Sequence, residues 1–560
     1  MLAYKKLALA SLFLLVPAHA EPTVDLGYAK YQGSVDPATN IASFLGIRYA
    51  AAPVGPGRFG APQPPLPVPG AGVLNATTQP AQCWQVESAN ALSTNPYRRV
   101  HAKRAPTSVS DEDCLFLSVY YPSDASGAPP NKTLPVMVWI HGGGYLLGSS
   151  SQFRGSDLIR QANNGLVVVV IQYRLGLFGF LAGSQVEEHG ALNAGLLDQQ
   201  FALRWVQSHI AKFGGSPSHV TIFGESAGKS PVLYIAHYRL SNPSYAGGGA
   251  VFQQILANGG NTHPPLFKNA ISSSPFMPSQ YRYDERIPEA VYAEVLRETN
   301  CTTFACLRAT PTSELQTANL NINLNTFVGT YAFPPVVDGS FIRERPLEAL
   351  RKGRVNGEML LVGTNAFEGS IFVNTSIPAA ESVGSYALEL LPNLRASKRV
   401  DVEKVHARTG TEPEKIVALA GDLLYFCSAY SLLRAFRGRA YKLSFAIPPG
   451  QHGTDLQYYF PSLVEDVPVL NYPFFFNNTQ FINAFAQSFT AFGISGDPNV
   501  KISDTITPIW ARWKDEDGAR VEMVFNRTEN SVPWVYSGNT GKDRLERCRF
   551  WEELGAVTGH

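Results

Sequence analysis

The sequence lacks a charge of one dominant sign. Its 46 lysines and arginines against 45 aspartates and glutamates leave a formal net charge of +1. That balance gives no long-range attraction to nucleic acid or to an anionic membrane. Charge is sparse as well, at 16% of residues, against roughly 25% in an average soluble protein. Past the first twenty residues, no stretch approaches the ~20 uninterrupted apolar residues of a membrane span. Neither a CxxC pair nor an HExxH or HxxH spacing occurs, and the 11 histidines are scattered, so no zinc-ligand pattern is present. Internal repeats and long low-complexity tracts are missing too. Disorder as the main state is excluded by 45% hydrophobic and 11% aromatic residues. At ~150 residues per domain, a chain of this length has about four domains as a prior.

Residues 1–20, MLAYKKLALASLFLLVPAHA, have the layout of a secretory signal peptide. Lys5 and Lys6 form a basic start, Leu7 to Val16 an apolar run, and Ala18-His19-Ala20 a small-x-small cleavage site. Six N-x-S/T sequons, at Asn75, Asn131, Asn300, Asn374, Asn477 and Asn526, then suggest a glycoprotein. The six cysteines are Cys83, Cys114, Cys301, Cys306, Cys427 and Cys548. An even count in an oxidising compartment favours disulfides; the number alone permits 15 connectivities, although Cys301 and Cys306 are close enough to staple one loop.

The span from Val136 to about Ile271 is the most readable. Val136 to Ile140 and Leu166 to Ile171 are solid apolar runs, and His219 to Phe223 is a third short strand. Ala194 to Phe213 has helical apolar spacing, and Ala227 to Tyr238 reads as a helix. Strands alternating with helices, the strands apolar on both faces, predict an α/β fold with a large, mostly parallel sheet.

Gly224-Glu225-Ser226-Ala227-Gly228 matches G-x-S-x-G between a predicted strand and a predicted helix. A sharp strand-to-helix turn lifts the central hydroxyl clear of the sheet and aims free N–H groups of the helix start at an oxyanion. Upstream, His141-Gly142-Gly143-Gly144-Tyr145 follows the strand ending at Ile140. Such a glycine run exposes further backbone donors. A dinucleotide loop is the competing reading. It fails because Leu147 stands at the last glycine position, and the next strand ends Gln172-Tyr173-Arg174 with no acid for a ribose.

With these motifs the chain resembles the type-B carboxylesterase/lipase family of α/β hydrolases, especially its secreted fungal branch. The resemblance also rests on Glu112-Asp113-Cys114-Leu115-Phe116-Leu117, Gly195-Leu196-Leu197-Asp198-Gln199-Gln200, Phe213-Gly214-Gly215, Phe333 to Gly339 and Arg547-Cys548-Arg549-Phe550-Trp551. It implies one α/β-hydrolase domain over residues 21–560, a mostly parallel sheet flanked by helices, and a serine ester hydrolase acting without cofactor or metal. Its triad falls on Ser226, on Glu368 within Gly363-Thr364-Asn365-Ala366-Phe367-Glu368-Gly369, and on His452 within Gln451-His452-Gly453-Thr454-Asp455. The oxyanion donors would be the N–H groups of Gly143, Gly144 and Ala227. Disulfides Cys83–Cys114 and Cys301–Cys306 are implied, with Cys427–Cys548 as a third candidate. The expected partner is a small-molecule or lipid ester.

Some residues depart from the family pattern. Lys229 follows Gly228 where a small residue is usual, and a cation in a helix's first turn opposes the dipole. Between Cys83 and Cys114, lipase relatives carry an amphipathic lid. Here that segment has no strong apolar stripe and holds Arg98, Arg99, Lys103 and Arg104, which weakens the case for a lipase. After Trp84 it has no tryptophan that could hold a quaternary ammonium. Tyr472 and Phe474-Phe475-Phe476 could line a substrate pocket or belong to the core. A lipase or sterol esterase is the main enzymatic alternative. A non-catalytic, neuroligin-like binding protein is the alternative of another class.

Overall fold

The computed structural model describes residues 21–68, 70, 72–86, 109–226, 247–326, 329–373, 381–465 and 476–560. The signal-peptide reading of residues 1–20, the segment 87–108, the helix expected from Ala227 with its Lys229, and Asn374, Tyr472, Phe474 and Phe475 lie outside the described residues.

Eleven strands form the main sheet. In chain order they are β1 (Ser34–Asp36), β2 (Ile41–Arg48), β3 (Phe116–Pro122), β4 (Leu134–Ile140), β5 (Val167–Ile171), β6 (Gly215–Glu225), β7 (Asn269–Ser273), β8 (Met359–Asn365), β9 (Ala440–Phe445), β10 (Val521–Arg527) and β11 (Pro533–Asn539). Across the sheet they run β1-β2-β3-β5-β4-β6-β7-β8-β9-β10-β11. The stretch from β5 to β10 is parallel, and antiparallel strands close both ends. The expected α/β-hydrolase architecture, a large sheet with helices on its faces, is what the chain adopts.

The continuous apolar runs have a simple cause. Val167 to Ile171 is buried at every position, because helices cover both faces of the parallel part. Along β4, Val136, Val138 and Ile140 join one core, and Met137 and Trp139 join the other, as the two-residue strand period requires. Helix α1 (Ala194–His209) packs on the first face. Helix α4 (Thr479–Ser495) covers the second with Phe481, Phe485, Phe489 and Phe492, spaced along one helical stripe. Between them in sequence, α2 spans Thr312–Leu324, and α3 runs Glu412–Ala435 with a π-helical turn at Asp422–Phe426. Helix α5 is Lys542–Glu553. By length and composition α3 could cross a membrane, but it is mostly buried inside the fold.

Two acids of the motifs quoted above, Glu112 and Asp198, are held by arginines. Glu112 accepts two hydrogen bonds from Arg58, both 2.7 Å, and Asp198 accepts three from Arg174, two from the guanidinium at 2.7 and 2.8 Å and one from the backbone N–H at 3.1 Å. Both pairs are buried. Loss of one partner from such a pair costs about 3–5 kcal/mol through the stranded charge. Three disulfides, Cys83–Cys114, Cys301–Cys306 and Cys427–Cys548, use every cysteine. Of the sequon asparagines, Asn75, Asn131, Asn300 and Asn477 are exposed and Asn526 is half-buried.

Strand register prepares the site. Ile140 pairs with Gly224, Glu225 with Ser273, Ser273 with Gly363, and Asn365 with Phe445. The carboxyl ends of β4, β6, β7, β8 and β9 therefore share one edge, where open α/β sheets place their ligands.

Candidate active site

Ser226 stands immediately after β6 with φ +59°. A left-handed conformation is strained for a residue with a Cβ and costs of order 1–3 kcal/mol. The surroundings hold it: the Ser226 N–H donates to the Ser273 carbonyl at 2.9 Å, and its carbonyl accepts from the Gly249 N–H at 3.3 Å. The turn directs the Ser226 hydroxyl onto Nε2 of His452.

His452 lies on the loop after β9. Its Nδ1 meets Oε2 of Glu368, which follows β8. With Nδ1–H donating to the carboxylate, the neutral ring leaves Nε2 as the acceptor for the Ser226 hydroxyl. All three side chains are buried. The other Glu368 oxygen accepts from the Asn365 N–H at 2.6 Å and the Ser274 hydroxyl at 2.7 Å. The imidazole packs against two mutually contacting rings, with Tyr425 centred 4.4 Å away and Phe372 at 5.1 Å in an edge contact. Tyr425 belongs to the π-helical turn of α3.

Two further carboxyls crowd this centre. Asp455 accepts from the Asn365 amide at 3.1 Å and the Tyr459 hydroxyl at 2.7 Å. Burial, opposed by those two bonds and helped by the charge of Glu368, pushes its pKa up to about 6. Glu225 comes within 3.9 Å of His452 Nε2. Burial first, then Asp455 and Glu368, push its carboxyl well above the ordinary carboxylate range. That shift disfavours the charged form of Glu225; the group bonded directly to the imidazole is Glu368.

The glycine loop leaves β4 beside this serine, since Ile140 pairs with Gly224. Gly143 has φ +122° and Gly144 has φ +64°. The Gly143 carbonyl accepts from the N–H groups of Leu146 and Leu147 at 2.8 and 2.9 Å. A Cβ on Gly143 would lie 1.7 Å from the Leu147 carbonyl oxygen, so the turn closes only without a side chain. Among the described residues, the N–H groups of Gly143 and Gly144 donate to no protein acceptor. Buried donors without partners are costly unless a ligand meets them. Ala227, the third expected donor, lies outside the described residues.

Hydrogen bonds thus join Ser226, His452 and Glu368 from three loops, and the pairing of Ile140 with Gly224 starts the glycine loop at the same sheet edge. Phe476 packs on Phe481 in the core, at 5.4 Å between ring centres. Sequence reasoning did not single out Ser274, Asn365, Asp455, Tyr425 or Phe372. The one available signal was position: Ser274 follows β7, and Asn365 ends β8.

The carboxylesterase family model matches residues 20–551. The chain is 32% identical over 511 residues to carboxylesterase patB of Aspergillus clavatus, spanning 82% of this chain and 87% of that protein. To carboxylesterase patB of Penicillium expansum it is 29% identical over 580 residues, spanning 94% and 98%. The crystal structure of Aspergillus niger EstA superposes with a TM-score of 0.79 at 27% identity, covering 97% of this chain and 99% of that one. The chain belongs to the carboxylesterase family and is a carboxylic ester hydrolase.

Proposed function

We propose that Ser226 is the nucleophile, His452 the general base and then acid, and Glu368 the group that holds the imidazole. One observation carries this reading: an unbroken buried hydrogen-bond chain from the Ser226 hydroxyl through both ring nitrogens of His452 to Glu368. His452 takes the serine proton as the Ser226 oxygen attacks the ester carbonyl. Glu368 stabilises the imidazolium without taking its proton. The N–H groups of Gly143, Gly144 and Ala227 receive the oxyanion, where each donor is worth about 10²–10³ in rate. His452 then protonates the departing alcohol, and water repeats the sequence on the acyl-enzyme.

We further propose a single hydrolase domain from residue 21 to 560, released by removal of residues 1–20 and secreted as a glycoprotein. Three disulfides and four exposed sequon asparagines support this. Soluble esters are the expected substrates, because the segment after Cys83 lacks an apolar lid stripe. The test is a panel of p-nitrophenyl esters from acetate to oleate, with feruloyl and sterol esters, run on the wild type and Ser226→Ala. The wild type should turn over short chains and be labelled by a fluorophosphonate at Ser226. Ser226→Ala should lose at least ~10⁴ in kcat/KM. A rate that rises only above the substrate's solubility limit would replace the esterase reading with a lipase. An unlabelled Ser226 with no turnover would leave the scaffold a binding protein.

A further inference from the structure

We infer that Gln85 is a positioning residue for ester hydrolysis, acting through the glycine loop; the inference rests on the oxyanion role proposed for Gly143 and Gly144. Gln85 is buried, two residues after the disulfide-bonded Cys83. Its amide makes three hydrogen bonds. Oε1 accepts from the Gly148 N–H at 2.6 Å, while Nε2 donates to the Gly148 carbonyl at 2.8 Å and to the Cys83 carbonyl at 3.0 Å. A primary amide supplies a donor and an acceptor side by side for the C=O and N–H of this one residue.

Gly148 in turn backs directly onto the start of the loop. A Cβ there would lie 2.1 Å from the Gly142 carbonyl oxygen and 2.3 Å from His141 Nδ1, and its φ is +107°. The chain beside Gln85 is fixed as well. The Val86 N–H donates to the Leu146 carbonyl at 2.8 Å, and Gln316 on α2 donates to the Gln85 carbonyl at 2.7 Å. A path of packed and hydrogen-bonded groups therefore runs from the Cys83–Cys114 bridge through Gln85 to Gly148, then to His141 and Gly142, and so to the N–H groups of Gly143 and Gly144. Moving those donors weakens the transition state while leaving substrate binding nearly untouched.

The test compares wild type, Gln85→Leu, Gln85→Glu and Ser226→Ala in steady-state kinetics on p-nitrophenyl acetate, together with the Ki of a trifluoromethyl ketone and the thermal midpoint. That ketone forms a hemiketal on the serine and places its oxyanion where the reaction does. For Gln85→Leu, kcat should fall ~10–100-fold, the scale of a misplaced catalytic contact, with KM changed less than about threefold. The ketone Ki should rise by the same factor as kcat/KM falls. Gln85→Glu keeps the shape and the acceptor but turns an oxygen onto two carbonyls, so it should show the same parallel loss if the leucine variant does not fold. A folded Gln85 variant with wild-type kcat, or a kcat loss with an unchanged ketone Ki, would overturn the inference. So would failure of both variants to fold, which would make Gln85 a general folding element. If Ser226→Ala stays active, the proposed site itself falls; if it is dead while the Gln85 variants behave as wild type, only the positioning role falls.

Discussion

Ser274 shows how finely the acid is held. Its hydroxyl donates to Glu368 Oε1 at 2.7 Å, beside the backbone donation from Asn365. Hydrogen bonds to a charged group are worth about 1.5–3 kcal/mol. We predict that Ser274→Ala lowers kcat/KM roughly 10–100-fold if most of that bond's energy reaches the imidazole, with KM nearly constant. Steady-state kinetics on a soluble ester checks it; wild-type rates would mean that the Asn365 N–H suffices alone. Such a residue is not legible in the sequence. Ser226 announces itself, because five contiguous residues carry its motif. Glu368 and His452 needed the family resemblance, since one acid and one histidine among many have no local signature. Ser274 is 94 residues from Glu368 in the chain, and Asn365 meets Asp455 across 90. Only the strand order brings them together.

At the scale of elements, strand cores were legible and element ends were not. Val167 to Ile171 sits where its apolar run places it. By contrast, β6 begins at Gly215 although the pattern suggests His219, because Gly215 already pairs with Leu134 across a register shift. The helix expected from Ala194 to Phe213 is α-helical only to His209 and finishes as a tight 3-10 turn at Phe213. Gly214, at φ +76°, caps it in the left-handed region that favours glycine. The π-helical turn that seats Tyr425 against His452 leaves no mark in apolar spacing at all. Linkage between elements yields a ranking. Cys427–Cys548 ties α3 to α5 across 121 residues, whereas Cys301–Cys306 closes a separation of 5. If cross-links act by restricting the unfolded chain, the long closure stabilises more. On that relation, replacing both Cys427 and Cys548 by serine should cost about 5 kcal/mol, and replacing Cys301 and Cys306 clearly less. Urea unfolding without reductant measures both; equal losses would refute the chain-entropy explanation.

For the molecule as a whole, the interior holds ionisable groups of opposite linkage, and their sum shapes its response to acid. His406 is buried, and among the described residues neither ring nitrogen has a hydrogen-bond partner. Burial first, then the charges of Arg547 and Lys415, lower its pKa to about 3. In the unfolded chain a histidine titrates near ~6.5. Between those values the unfolded state binds a proton that the folded state refuses, so stability falls as the pH drops. The contribution is complete above the unfolded value and is lost on acidification toward the folded one. His141, lowered to about 4 by burial, acts in the same direction. Asp455 acts oppositely: raised to about 6, it binds its proton more readily when folded, so its stabilisation is present at low pH and is lost as the pH rises through 6. His406 is the member to test, because it packs near Trp551 on α5 and takes no part in the triad contacts. In His406→Leu, an apolar side chain strands no hydrogen bond. The drop in thermal midpoint between pH 7 and pH 4 should then be smaller than in the wild type, with esterase activity at pH 7 retained. An unchanged drop would show that His406 does not resist protonation in the folded protein, and the acid sensitivity would then have to come from other buried groups.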